Sequence, residues 1–125
     1  MESEKTSRYR LIRATRNTLD GIKVLWRNER SFRQELYLSV IVLPMIIFMN
    51  ISSLLKLLLG LLLLLLLTVE TLNSALEAVV DRISLETHVQ SKMAKDMGSA
   101  AVGIVIVMNI IAWVYALSIH FTLLP

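Results

Sequence analysis

The sequence has 125 residues, 55% of them apolar and 18% charged, with a mean hydropathy of +0.64. That length makes one domain, too small to bury so much apolar mass in a soluble core and too apolar to be disordered, while the lack of cysteine excludes disulfide scaffolds, cysteine zinc sites and cysteine nucleophiles. The net charge of +3 is concentrated in residues 1–35, with nine Lys/Arg against five Asp/Glu beside apolar stretches and no DNA- or RNA-reading motif, so the composition points to a membrane protein with no nucleic-acid partner.

The first predicted element covers residues 8–33. Leu11, Ile12, Thr15, Leu19, Ile22, Leu25 and Trp26 recur at three- and four-residue spacing, with Arg10, Arg13, Arg16 and Lys23 on the other faces. That pattern predicts an amphipathic helix lying on a membrane surface, with a candidate break at Asp20-Gly21. No apolar h-region precedes Leu36, so no cleavable signal is expected.

About 20 apolar helical residues cross a bilayer core. Three stretches meet that length: residues 36–55, containing Pro44; residues 57–80, with unbroken leucines from Leu61 to Leu67; and residues 97–119, without a charged residue. The short polar stretch between the first two predicts a tight turn and a helical hairpin. With the N-terminus inside, twelve of the thirteen Lys/Arg are cytoplasmic and Lys56 alone faces outward. The C-terminus is then periplasmic, and Trp113 and Tyr115 fall in an outer aromatic belt near His120.

The second span carries an anomaly. Glu70, Asn73, Ser74, Glu77 and Asp81 follow a long apolar run without a helix breaker. At 100° per residue all five fall on a stripe about 100° wide, and Glu70 sits about 20 Å from the outer end of the helix. A carboxylate at such a depth costs on the order of 2.5–3.5 kcal/mol and is too short to snorkel. The stripe therefore faces protein, water or a cation; a polar helix–helix seam is the blander reading, although Asn and Ser alone would supply one.

Two further clusters flank the same interface. Asn28-Glu29 and Phe32-Arg33-Gln34-Glu35 precede the first span, and Lys95-Asp96 with Ser99 opens the third, amid the small residues Gly98, Ala100 and Ala101. Paired carboxylates suit Mg²⁺, which binds hard oxygens and bridges substrate phosphates. Lysine and arginine neutralise phosphate oxygens, and a further carboxylate accepts a proton from an attacking hydroxyl. No Walker loop or kinase glycine loop is present, so no soluble nucleotide fold is expected. Chemistry of this kind needs a hydroxyl acceptor that lives in the bilayer, and a lipid alcohol fits.

The run from Val69 through Glu70, Asn73, Ser74, Glu77 and Asp81 to Arg82 resembles the signature of the prokaryotic diacylglycerol kinase family. Residues 94–102, around Lys95-Asp96 and Gly98-Ser99, resemble its second block, and Asn28-Glu29 with Phe32-Arg33-Gln34-Glu35 a third. The resemblance implies an all-α homotrimer of the inner membrane, one domain over residues 1–125, that transfers the γ-phosphoryl of MgATP to the hydroxyl of diacylglycerol. It implies Glu70 as general base, and Glu29 and Glu77 as holders of Mg²⁺ and, through it, ATP. Arg10, Asn17, Glu86, His88, Lys95 and Asp96 are the implied nucleotide contacts; Asn73, Ser99 and Trp113 join Glu70 as lipid contacts. The same resemblance admits an undecaprenol kinase. A small proton-coupled transporter explains Glu70 as a proton carrier but gives Lys95, Asp96 and Glu29 nothing to do.

Overall fold

The computed structural model describes residues 2–83, 86 and 88–123, with side chains from residue 7 onward; residues 84, 85 and 87 of the expected cytoplasmic loop lie outside that set. The described chain is four α-helices in series: α1 Glu2–Asn28, α2 Arg30–Phe48, α3 Ser53–Ile83 and α4 Val89–Thr122. The last three are each long and apolar enough to cross a membrane.

α1 runs unbroken through Asp20-Gly21, so the expected break there does not occur. A single glycine costs a helix only about 1 kcal/mol, too little to end a helix of 27 residues. The break falls instead at Glu29, whose extended backbone (φ −102°, ψ 111°) separates α1 from α2. The first helix thus ends at Asn28 rather than residue 33, and the helix that carries the first apolar stretch begins at Arg30, ahead of residue 36. Arg33 secures this elbow: its Nη1 donates to the carbonyls of Trp26 (2.7 Å) and Arg27 (3.2 Å). Those carbonyls belong to the last turn of α1 and have no acceptor role within the helix. Trp26 and Tyr37 meet edge to face across the bend, with ring centroids 5.8 Å apart.

Pro44 lies within α2 without ending it. The helix stops at Phe48, seven residues short of the expected boundary, because Asn50, Ser52 and Ser53 favour a turn over a helical interior. Ser52 Oγ accepts from the backbone N–H of Leu55 (3.3 Å), capping α3. Lys56 folds back to donate to the carbonyl of Ile47 (2.6 Å) at the end of α2. The C-terminal end of α4 closes on the same turn, where Asn50 donates from its backbone N–H to His120 Nδ1 (2.9 Å) and from its amide to the carbonyl of Leu123 (3.2 Å).

Beneath that turn sits the core of the bundle, built from Ile46, Met49, Leu55, Leu59 and Ala116, with Trp113 and Ile119 packed against it. Further along, Asn109 of α4 donates to the carbonyl of Leu62 on α3 (3.2 Å) and to its own Val105 carbonyl (3.0 Å). α3 packs more extensively on α4 than on α2. Elsewhere long apolar faces lie open, including Ile41, Phe48, Leu64, Ile104 and Ile111. Such faces fit hydrocarbon or further protein and not water.

Candidate functional site at the far end of the spans

The polar stripe of α3 lies at the opposite end of the bundle from the core, and it faces α4. Glu70, Asn73 and Glu77 are half-buried and Ser74 is buried. Their shared face follows from residue spacing alone, since steps of three and four return to one side of a helix. Asn73 Nδ2 donates to Glu77 Oε1 (3.2 Å), holding that carboxylate one turn along the same helix. The amide's other end, Oδ1, is buried without a hydrogen-bond partner and points at Gly98 of α4. One turn beyond Glu77, Asp81 receives Lys95 Nζ at 2.6 Å, and Glu77 also lies within electrostatic range of that ammonium. The stripe therefore meets the second block of the sequence, and the two blocks form one site.

Asp96, adjacent to Lys95, faces elsewhere and pairs with Lys92 one turn back. Both candidate nucleotide contacts on α4 are thus engaged with a counter-charge. Ser99 is exposed beside Gly98. His88 caps α4, its Nδ1 accepting from the backbone N–H of Gln90 (3.2 Å). With Glu86 it lines a cavity of about 460 Å³ between the end of α3 and the start of α4, together with Val80, Ile83 and Ala94.

Glu35 of α2 comes from a cluster that the sequence places at the same interface without giving Glu35 itself a role. Its Oε2 is buried with no hydrogen-bond partner, and it lies close enough to Glu70 for the two carboxylates to repel. Its spacing along α2 carries no such signal; only the packing of α2 on α3 creates the pair. Glu29 stands half-buried at the elbow, and its side chain makes no capping bond to α2.

Other expected members stand apart within one chain. Arg10 and Asn17 are exposed on α1. A continuous helix at 1.5 Å per residue puts roughly 28 Å between Arg10 and Glu29. Trp113 lies in the outer core, and roughly 27 Å of α4 separates it from Lys95. Among the described residues no three His, Asp or Glu side chains gather in metal-binding range. Mg²⁺ travelling with a nucleotide uses only one or two protein carboxylates besides phosphate oxygens, so Glu29 and Glu77 fit that donor chemistry, though not a closed protein cage.

Fold and site define a small all-helical membrane protein that carries paired carboxylates and a lysine at one end of its spans. Residues 16–117 match the family described as prokaryotic diacylglycerol kinase. The diacylglycerol kinase of Escherichia coli (strain K12) is 40% identical over 121 residues, which cover 97% of this chain and 99% of that protein. That of Pseudomonas aeruginosa is 41% identical over 109 residues, 87% of this chain and 89% of the relative. A more distant diacylglycerol kinase, from Helicobacter pylori (strain J99), is 33% identical over 113 residues, 90% of this chain and 88% of its own length. The chain belongs to the prokaryotic diacylglycerol kinase family.

Proposed function

We propose that the protein is an ATP-dependent lipid kinase that phosphorylates diacylglycerol to phosphatidate at the cytoplasmic face of the bacterial inner membrane. One observation carries the reading beyond family membership. The carboxylate stripe of α3 meets Lys95 of α4 with a 2.6 Å contact at Asp81, at the depth where a lipid hydroxyl and a soluble nucleotide can both arrive.

Glu70 takes the proton of the lipid hydroxyl as its oxygen attacks the γ-phosphorus; the bond to the β,γ-bridging oxygen breaks, and ADP leaves. Bound Mg²⁺ supplies charge neutralisation on the phosphate oxygens, and Glu29 and Glu77 are the residues that hold it. Asn73 keeps Glu77 oriented through the bond between them. Lys95 exchanges Asp81 for phosphate, with Arg10, Asn17, Glu86, His88 and Asp96 as further nucleotide contacts. Ser99 lies beside the reacting groups on the lipid side. Trp113, in the outer core, contributes only to acyl-chain contact.

The N-terminus is cytoplasmic and the C-terminus periplasmic, with α1 lying amphipathically on the inner surface. The functional unit is a homotrimer whose sites are shared. The roughly 28 Å of helix between Arg10 and Glu29 within one chain supports sharing of the site between copies.

Phosphate transfer from radiolabelled ATP to dioleoylglycerol in mixed micelles, with and without Mg²⁺, tests the reading. Metal-dependent formation of labelled phosphatidate is expected. A folded preparation that labels no lipid defeats it, and preferential labelling of undecaprenol reassigns the acceptor.

A further inference from the structure

α3 and α4 approach closely at Gly98. A Cβ built on Gly98 would overlap Asn73 Oδ1, and it would also sit 3.3 Å from Asn73 Cγ and from Leu76 Cδ2. The overlapped atom is the tip of a side chain, which could ordinarily move aside. Here its other end is committed, because Asn73 Nδ2 donates to Glu77 Oε1. A carboxylate only accepts hydrogen bonds, so the NH₂ end must face Glu77 and the oxygen must face Gly98. The amide cannot turn away from Gly98 without releasing Glu77. By contrast, a Cβ at Gly103, further along α4, meets nothing within 4 Å.

We propose that Gly98 is a positioning residue: its missing side chain is the seat for the Asn73 carboxamide, and through that amide it sets the Glu77 carboxylate where the divalent ion of the nucleotide binds. The link to the ion rests on the assignment of Glu77 above; the seat itself does not. Partners that orient a metal-binding side chain commonly change metal affinity by 10- to 100-fold when they are removed.

The test uses the full-length purified protein as wild type, Gly98→Ala, Asn73→Ala, the double variant and Gly103→Ala. Three quantities are read: the half-saturating Mg²⁺ concentration, KM for diacylglycerol, and Mn²⁺ binding without lipid by electron paramagnetic resonance. The Asn73 side-chain amide resonance in Gly98→Ala gives a fourth, independent of metal. Gly98→Ala is expected to shift the Asn73 resonance and raise half-saturating Mg²⁺ at least about tenfold. It is also expected to weaken Mn²⁺ binding in parallel, and any rise in lipid KM, Asn73 being also an implied lipid contact, is expected to be smaller than the rise in half-saturating Mg²⁺. The double variant should be no worse than Asn73→Ala, because the seat is empty in both, and Gly103→Ala should behave as wild type. If Gly98→Ala fails to fold, recovery of folding in the double variant, where the overlap is gone, reports the same coupling. An unmoved Asn73 resonance, or losses in the two single variants that multiply in the double, overturns the seat. A shifted resonance with unchanged Mg²⁺ and Mn²⁺ dependence removes Glu77 from the ion and overturns the second half of the proposal alone.

Discussion

Glu70 and Glu77 are two turns apart on one helix face, yet they are expected to fail differently when neutralised. Glu70→Gln removes the group that accepts the lipid proton, so turnover should fall by about 10²–10⁴-fold while KM for MgATP stays near wild type. Glu77→Gln should raise KM for MgATP along with its loss in turnover. Steady-state kinetics with each substrate varied separates the two; equal effects on both parameters in both variants would contradict the roles. These two residues were legible because helical spacing puts a polar stripe where hydrocarbon was expected. The ion pair of Asp81 with Lys95 was half legible: the residues stand 14 apart, and only the hairpin of α3 and α4 makes them neighbours. Glu35 was missed as a partner of Glu70, since nothing in a single helix says which of its carboxylates a second helix will cover.

At the scale of elements, hydropathy located all three long apolar helices, whose limits differ from those of the expected spans. The limits of α1 and α2 depend on Glu29 and on an arginine four residues later that caps carbonyls behind it, a contact that no periodicity encodes. Arg33→Ala frees the two carbonyls of the elbow. Amide exchange around residues 25–33 should then rise at least severalfold, while the unfolding temperature of the spans stays unchanged. An elbow that remains as protected as before would mean that the Trp26–Tyr37 contact alone holds it. In the middle of the bundle, Asn109→Leu removes the bond from α4 to the Leu62 carbonyl. Interhelical hydrogen bonds in membranes are worth about 1 kcal/mol or less, so a loss of about that size is expected in unfolding from mixed micelles.

At the scale of the whole molecule, the proposed sharing of sites between copies rests on the roughly 28 Å of helix between Arg10 and Glu29, since the uncovered apolar faces suit hydrocarbon as well as a second copy. Mixing inactive Arg10→Ala subunits with inactive Glu70→Gln subunits, under conditions that let trimers exchange, should restore part of the activity, because some mixed sites draw both groups from intact chains. No recovery after demonstrated exchange would mean that each chain holds its own complete site. A dependence of that kind would be invisible in a single sequence, where every residue is written once and the copies that meet are not.

The pairing of Lys95 with Asp81 matters for a protein immersed in phosphate esters. Every phospholipid headgroup around it carries a phosphodiester, and the acidic lipids among them are net anions that compete for an ammonium at the interface. A lysine already neutralised by a carboxylate yields only to a ligand that brings more negative charge than it displaces; a triphosphate does so and a phosphodiester does not. The Asp81 carboxylate in this way weakens the hold of Lys95 on singly charged headgroups. Asp81→Asn should therefore make KM for MgATP climb with the anionic lipid content of the membrane, a dependence that the native pair suppresses.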